Sequence, residues 1–135
     1  CMKKGSGLIL EVPNHDDVLL SCYNKNITYK DFYYHKAHIH YFTAKSLEDM
    51  CCECGFKGEV SSFLMYPFFN HVYWTQNHGP QATANKALSL PVPTPGKTDT
   101  QKEINSFFES VEKNYEKLIN SKMVGDCLVF KGIKK

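Results

Sequence analysis

The sequence predicts an α/β fold, and three segments carry that prediction. The apolar run Leu8-Ile9-Leu10-Glu11-Val12 predicts a strand that is buried on both faces, as in a parallel sheet. Apolar side chains at helical spacing predict a helix over residues 44–54. A second apolar run, Cys127-Leu128-Val129-Phe130, predicts a final strand. With 135 residues, the chain is long enough for one domain with its own core.

The helix over 44–54 has recognisable signals at both ends. Thr43 is a typical N-cap residue, and Gly55 stands where a left-handed C-terminal cap is needed. Phe56 supplies the hydrophobic contact that often follows such a cap. One face of the helix carries the apolar positions Leu47, Met50, Cys51 and Cys54.

The second half of the chain is expected to hold a strand, a long loop and a long helix. Residues 56–66 predict the strand, with a bulge at Gly58. Residues 79–99, which contain four prolines, predict the loop. Thr100 and Glu103 match a capping box that would open the helix. Its expected apolar stripe consists of Ile104, Phe107, Phe108, Val111, Tyr115, Leu118 and Ile119.

Charge and hydropathy exclude several classes of function. The formal net charge is +2, and all sixteen basic residues are Lys. Without an Arg the chain lacks the usual bidentate phosphate ligand, so we expect no nucleic-acid partner. No apolar run approaches membrane-spanning length, so we expect no membrane partner either. Six cysteines without a secretion signal favour a reducing cytoplasm.

Several segments, in order, resemble the class I S-adenosylmethionine (SAM)-dependent methyltransferases that act on small molecules. Met2-Lys3-Lys4-Gly5-Ser6-Gly7 resembles the loop before the fifth strand of that family, and Leu8–Asn14 resembles the strand itself. His35-Lys36-Ala37-His38-Ile39-His40-Tyr41-Phe42-Thr43 is similar to the His-rich stretch that follows. Ser46-Leu47-Glu48-Asp49-Met50 with Gly55-Phe56 resembles the next helix and its end. Gly125–Phe130 resembles the seventh strand.

The resemblance implies a partial Rossmann-like methyltransferase sheet made of strands five, six and seven. The seventh strand would run antiparallel between the other two, and the helix over 44–54 would be the crossover between strands five and six. Residues 1–135 would form a single partial domain, the C-terminal half of a methyltransferase domain. Residues 67–122 would be a helical insertion on the substrate side.

The family's glycine-rich SAM loop and its ribose-binding acid are absent from this sequence. The resemblance therefore implies that the chain carries the acceptor side of the enzyme, while the residues that bind the cofactor, SAM, are unknown here. We expect the full-length protein to be a methyltransferase and the isolated chain to be inactive. We also expect self-association, because the edge of the first strand would be uncovered.

His38 and His35 are the candidate catalytic residues. Methyl transfer is an in-line displacement that requires an aligned acceptor and an excluded solvent. Where the acceptor is a hydroxyl group, a nearby imidazole can take its proton or orient it. The alternative for both is a structural histidine bonded to the backbone, which is the preferred interpretation of His40.

Six further residues are candidates for binding the small-molecule acceptor. Asn14 follows the first strand at its carboxyl end, where open α/β sheets bind ligands, although a turn residue is the alternative. The others are aromatic or imidazole side chains of the kind that line such pockets, with ordinary core packing as the alternative. They are Tyr33, Tyr34, His71, Tyr73 and Trp74.

The alternative function is a non-catalytic binding or interaction module, held together by aromatic packing and a zinc ion. Cys51, Cys52 and Cys54, with the nearby His35, His38 and His40, are its potential ligands. We expect no metal, because Cys51 and Cys54 fall on the apolar face of a helix, where Cys behaves as a small hydrophobe.

Overall fold

The structure is a computed structural model that describes residues 2–23 and 27–135. Strands and helices alternate irregularly along this part of the chain, which confirms a mixed α/β architecture. The elements in order are β1 (Gly7–Pro13), α1 (Val18–Ser21), α2 (Ile27–Tyr33), α3 (Ala44–Glu53), β2 (Phe56–Phe63), α4 (Phe68–Asn77), α5 (Ala84–Leu88), α6 (Asp99–Ser121) and β3 (Cys127–Lys134).

The three strands form one sheet in the order β1-β3-β2. Both ladders are antiparallel: Leu10 pairs with Phe130 on one side, and Phe130 pairs with Val60 on the other. The expected antiparallel last strand between the other two is confirmed. The expected parallel pairing of β1 is wrong for the described residues, because its only strand partner there is β3.

Helix α3 packs against one face of this sheet and starts at the expected cap. The Thr43 side chain accepts from the Ser46 amide, and the Ser46 hydroxyl accepts from the Thr43 amide, so the two residues form a capping box. Leu47 and Cys51 are buried in one cluster with Phe56, Leu128 and Phe130. Cys54 departs from the predicted apolar face, since it is exposed at the C-terminal cap of the helix.

Two glycines in and beside β2 have different reasons to be glycine. Gly55 has a φ of +78°, which confirms the left-handed turn between α3 and β2. Gly58 is not at a bulge: it pairs in register with Gly132. A Cβ at Gly58 would lie 2.1 Å from the Lys131 carbonyl oxygen, so the residue is needed for the close approach of the two strands.

The opposite face of the sheet is exposed, contrary to the expectation for β1. The side chains of β1 alternate between the two faces: Leu8, Leu10 and Val12 pack towards α3, whereas Ile9 on the other face is 71% exposed. A period of two with one exposed face is the pattern of an antiparallel strand. Self-association through the outer edge of β1 stays a prediction.

Helices α4, α5 and α6 occupy the connection between β2 and β3, within the region expected to hold an insertion. Helix α6 begins earlier than predicted, because its capping box is formed by Thr98 and Gln101. The Thr98 hydroxyl accepts from the Gln101 amide at 3.3 Å, and the Gln101 side chain accepts from the Thr98 amide at 3.2 Å. The expected loop over 79–99 contains α5, which is capped by Thr83.

The apolar stripe of α6 is buried over only part of its length. Ile119 is buried, and the Phe108 ring stacks on Phe69 at a centroid distance of 5.3 Å. In contrast, Phe107 is 65% exposed and Leu118 is 55% exposed. Fewer residues of the stripe are buried than the spacing predicted, because α6 packs mainly against α4 and β2.

A second apolar cluster lies among the helices. It joins α1, α2, α4 and α6 to the residue that follows β2, and its buried members are Val18, Leu19, Tyr29, Leu64, Trp74 and Ile119. This cluster supports the walls of the cavity described next.

Candidate functional site

A cavity of about 530 Å³ opens at the end of the sheet where β1 finishes. Its floor is formed by the last residues of β1, Glu11 to Pro13, together with Cys127, the first residue of β3, and Asp126, which precedes it. Met65 and Tyr66, just after β2, complete this side. Because β1 and β2 run in the same direction, their carboxyl ends meet at this one edge, which is where open α/β sheets bind ligands.

His35 and His38 lie on the rim of the cavity, in the loop that follows α2. Their ring centroids are 4.7 Å apart. Tyr41 holds this loop: its hydroxyl donates to the Tyr33 carbonyl oxygen at 2.6 Å and accepts from the His35 amide at 3.2 Å. The two imidazoles are exposed on this clamped turn. The His35 Nδ1 accepts from the Ala37 amide at 3.3 Å, so one nitrogen of that ring is bonded to the backbone.

One wall of the cavity is aromatic and comes from α2 and α4. The Trp74 ring is 2% exposed and meets Tyr29 edge to face at 4.9 Å. Phe32 lies 5.1 Å from the same indole, and Tyr33 stacks on Tyr29 at 5.5 Å. On the far side, the Gln81 amide donates to the Asn70 side-chain oxygen at 3.1 Å and so ties the loop after α4 to that helix.

Tyr33 connects the aromatic wall to the sheet. Its hydroxyl lies 2.8 Å from the Asn14 carbonyl oxygen and 3.0 Å from the Asp126 carbonyl oxygen. Asn14 directly follows β1, and Asp126 directly precedes β3. The hydroxyl therefore fixes α2 across the strand ends that form the cavity floor.

Asp126 is the buried acid of the cavity floor, with 4% of its surface exposed. Its Oδ2 accepts from the backbone amides of Met65 at 2.7 Å and Tyr66 at 3.1 Å. Its Oδ1 accepts no hydrogen bond from any described residue. The His71 Nε2 lies 3.5 Å from this oxygen.

Behind Asp126 lies a buried polar cluster. The His71 Nδ1 is 2.7 Å from the Tyr115 hydroxyl, which places α6 in contact with the imidazole. Asp17 is fully buried and caps α1, because its Oδ1 accepts from the amides of Leu19 and Leu20. Burial, and then the charge of Asp126, raise the pKa of Asp17 to about 7, while His71 opposes the shift.

Three further side chains of the cavity, Tyr29, Tyr33 and Cys127, are held in their neutral forms. Burial, followed by the charges of Asp17 and Asp126, raises the pKa values of Tyr29 and Tyr33 well above the usual range. Burial and then Asp126 and Glu11 raise the pKa of the Cys127 thiol to about 12. Cys127 is therefore a thiol at neutral pH, not a thiolate nucleophile.

Four of the eight residues predicted for the site line this cavity. They are His35, His38, Tyr33 and Trp74. The other four do not line it.

Asn14 and His71 are buried beside the cavity instead of facing it. Asn14 is 0% exposed, because its amide donates to the carbonyls of Met123 and Gly125 and its oxygen accepts from the Asp16 amide. His71 is 2% exposed within the cluster behind Asp126. Neither residue is placed to contact a substrate in this cavity, as was expected, and both are structural residues beside it.

Tyr34 and Tyr73 also lie outside the cavity lining. Tyr34 packs edge to face on Tyr41 at 4.7 Å and so stabilises the histidine-bearing loop from behind. Tyr73 is half-buried on a part of α4 that does not face the cavity. Both side chains therefore lie next to the site but do not line the cavity.

Several lining residues were not predicted from the sequence, although one clear signal identifies some of them. Tyr29, Phe32 and Tyr33 follow the i, i+3, i+4 spacing of one helix face. No helix was predicted for this region, whereas α2 lies there. Asp126 carried no such signal, since an acid before a strand is common in turns.

The cysteines near the histidines do not gather around them. Cys51 is buried under the sheet, whereas Cys52 and Cys54 are exposed. Over residues 2–23 and 27–135, no three His, Cys, Asp or Glu side chains converge closely enough to hold a metal ion. The zinc-stabilised alternative has no ligand set within those ranges.

Comparison with known proteins gives no relative: no protein family, no curated protein and no solved structure matches this chain. In the part of the chain that the structure describes, no helix combines the length and the apolar character needed to cross a bilayer.

Proposed function

We propose that this chain forms the acceptor-binding side of a class I SAM-dependent methyltransferase that acts on a small molecule. The observation that carries the proposal is the cavity at the carboxyl ends of β1 and β2, with His35 and His38 on its rim. These two residues come from the segment on which the family resemblance depends.

The order of the strands supports the same proposal. The resemblance implies that the last strand runs antiparallel between two strands of common direction, and β1-β3-β2 has that arrangement. Helix α3 connects the outer two strands, as the resemblance requires of the crossover. The described residues contain no glycine-rich turn between a strand and a helix, so the proposal assigns no contact with the cofactor to them.

The size and lining of the cavity suit a small acceptor. A volume of about 530 Å³ lies within the usual range for drug-sized ligands. Aromatic rings supply the contact area, and a few polar groups are available to orient the molecule. The chemistry that SAM supplies is an electrophilic methyl group.

The residues of this chain would bind the acceptor, exclude water and accept its proton. In this proposal the aromatic wall of Tyr29, Tyr33 and Trp74 aligns the acceptor. An imidazole nitrogen of His38 takes the proton that the acceptor loses, and His35 supports it from 4.7 Å away. Tyr41 positions both histidines by holding their loop.

The test uses the product of the complete gene that contains this sequence. Methyl transfer from isotopically labelled SAM is measured over a panel of phenols, amines and sugars, and SAM affinity is measured by calorimetry. We expect His38→Ala to lower turnover about a hundredfold without changing SAM affinity or folding. His38→Gln separates the two roles of the imidazole, because Gln can keep a hydrogen bond but cannot take up a proton. Turnover should recover in this variant only if His38 acts through its hydrogen bond.

The matched control is His40→Ala. His40 is exposed in the same loop but does not line the cavity, so its variant should keep full turnover. A gene product that binds no SAM and transfers no methyl group would refute the proposed function. Equal turnover in the His38 and His40 variants would leave the function standing and remove His38 from its mechanism.

A further inference from the structure

We propose that the cavity selects a neutral aromatic ligand that carries a carbonyl oxygen, and that the side-chain amide of Asn70 donates a hydrogen bond to that oxygen. The proposal rests on the proposed function only where it calls the ligand the methyl acceptor. Selectivity for the carbonyl can be measured by binding alone, without any methyl transfer.

Asn70 lies on the face of α4 that lines the cavity, one helical turn before Trp74. The residue is only 3% exposed. Its Oδ1 accepts from the Gln81 Nε2 at 3.1 Å, so the oxygen of this amide is engaged by a second lining residue. The part of the side chain that is left for a ligand is the Nδ2.

The Asn70 Nδ2 is a donor that is open to the cavity. Within residues 2–23 and 27–135 it makes no hydrogen bond. Nor is it one of the fully buried side-chain atoms of those ranges that lack a partner. The nitrogen therefore keeps accessible surface, and that surface faces the cavity, because the residue lines it. An amide nitrogen carries two protons, so Asn70 can donate to a ligand without losing its bond to Gln81.

The charges of the lining favour a neutral acceptor for this donor. No Lys lines the cavity, and the sequence contains no Arg. The carboxyl groups of the lining are those of Glu11 and Asp126. A carboxylate ligand would lose its hydration beside these acids and would meet no Lys or Arg among the lining residues. A carbonyl oxygen accepts the same hydrogen bond from Asn70 without that cost.

The aromatic wall determines the rest of the ligand. The Trp74 ring lies 4.9 Å from the Tyr29 ring and 5.1 Å from the Phe32 ring, and all three residues line the cavity. Rings of this kind pack against a planar aromatic molecule in offset or edge-to-face arrangements. Residues four apart on a helix are neighbours, so a carbonyl on a ligand ring that contacts Trp74 can lie beside the Asn70 amide.

The experiment compares three probes of nearly equal shape on the complete gene product. They are 2-acetylnaphthalene, 2-isopropenylnaphthalene, in which a methylene group replaces the carbonyl oxygen, and the anionic 2-naphthoate. Binding is measured by equilibrium dialysis at pH 8, above the ordinary titration range of imidazole. We expect 2-naphthoate to bind about tenfold more weakly than the ketone, because a charge is buried without a partner.

The variant that tests the hydrogen bond is Asn70→Leu, which has nearly the same volume and no amide. The ratio of ketone affinity to hydrocarbon affinity should fall about fivefold in this variant, because one hydrogen bond is lost. The control is Asn77→Leu, the same substitution at an exposed position of α4 outside the cavity. Its ratio should equal that of the unsubstituted protein.

A second measurement does not need the variant to fold. The side-chain amide of Asn70 gives its own nitrogen-correlated NMR signals, and a hydrogen bond to the ketone should move one of its two proton signals to lower field. The hydrocarbon places the same naphthyl ring in the cavity and serves as the reference. Equal shifts with the two probes overturn the proposal. It is also overturned if 2-naphthoate binds as tightly as the ketone, if no probe binds, or if Asn70→Leu keeps the ratio.

The two proposals fail separately. Methyl transfer without a preference for the carbonyl would remove only the selectivity assigned to Asn70. A preference for the carbonyl in a protein that neither binds SAM nor transfers a methyl group would remove only the methyltransferase function.

Discussion

The molecule has two buried regions of different character. Between the sheet and α3, the buried side chains are apolar or thiol, with Leu47, Leu128 and Phe130 fully buried. The helical region around Trp74 has Asp17, His71 and Asp126 buried at its border. Since buried charge costs stability unless it is paired, the first region suits a structural purpose and the second suits a chemical one.

The largest expected loss of stability comes from a substitution in the apolar region. Leu128→Ala, which removes a fully buried side chain, should lower the free energy of unfolding by about 2–5 kcal/mol. Leu118→Ala is the matched control, because Leu118 is 55% exposed on α6 and its loss should cost less than about 0.5 kcal/mol. Urea unfolding measures both. Equal losses would contradict the division into a buried strand and a half-covered helix.

The next effect concerns the pH response of the polar region. The pKa of Asp17 is raised from 3.8 to about 7 in the folded protein, so the folded state keeps a proton that the unfolded state releases. Its contribution to stability is therefore full below about pH 4 and is lost as the pH rises to about 7. Asp17→Asn keeps an acceptor for the α1 cap and removes this loss.

Relative to the unsubstituted protein, Asp17→Asn should gain on the order of 2 kcal/mol between pH 5 and pH 8, since one pKa unit corresponds to about 1.4 kcal/mol. Unfolding curves at the two pH values provide the measurement. Asp16→Asn, at an exposed neighbouring position, should show no such gain. A gain of the same size in both variants would show that the effect does not come from burial.

The smallest expected effect tests how the polar region is tied to the sheet. Tyr33→Phe removes the hydroxyl that reaches the carbonyls of Asn14 and Asp126, and should cost about 1 kcal/mol. Tyr34→Phe changes an exposed ring of the same helix end and should be neutral. The two melting temperatures decide the comparison. A neutral Tyr33→Phe would mean that the ring, not its hydroxyl, holds α2 in place.

The elements that could be predicted from the sequence are those with local signals. Thr43 and Gly55 bound α3 because capping depends on neighbouring residues, and the run at 127–130 forms β3. The start of α6 was misplaced by two residues, because Thr98 with Gln101 and Thr100 with Glu103 match the same motif. The spacing of the residues alone does not decide which of two overlapping capping boxes forms.

The site was predictable only in part, because its polar groups meet across long stretches of chain. The family resemblance placed His35 and His38 in the segment after β1, so these two residues could be associated with its carboxyl end. Asp126 becomes part of the site only when β3 returns beside β2 and brings the carboxylate to the amides of Met65 and Tyr66. No local pattern encodes that meeting.

The central place of β3 has a consequence for how the chain folds. Gly7 pairs with Ile133, and neither outer strand pairs with the other, so β1 and β2 must wait for a strand that is synthesised after every other described element. Contacts between such distant residues are entropically costly to close and slow folding. Until β3 is made, the edges of β1 and β2 that it covers are unpaired, and unpaired strand edges favour aggregation.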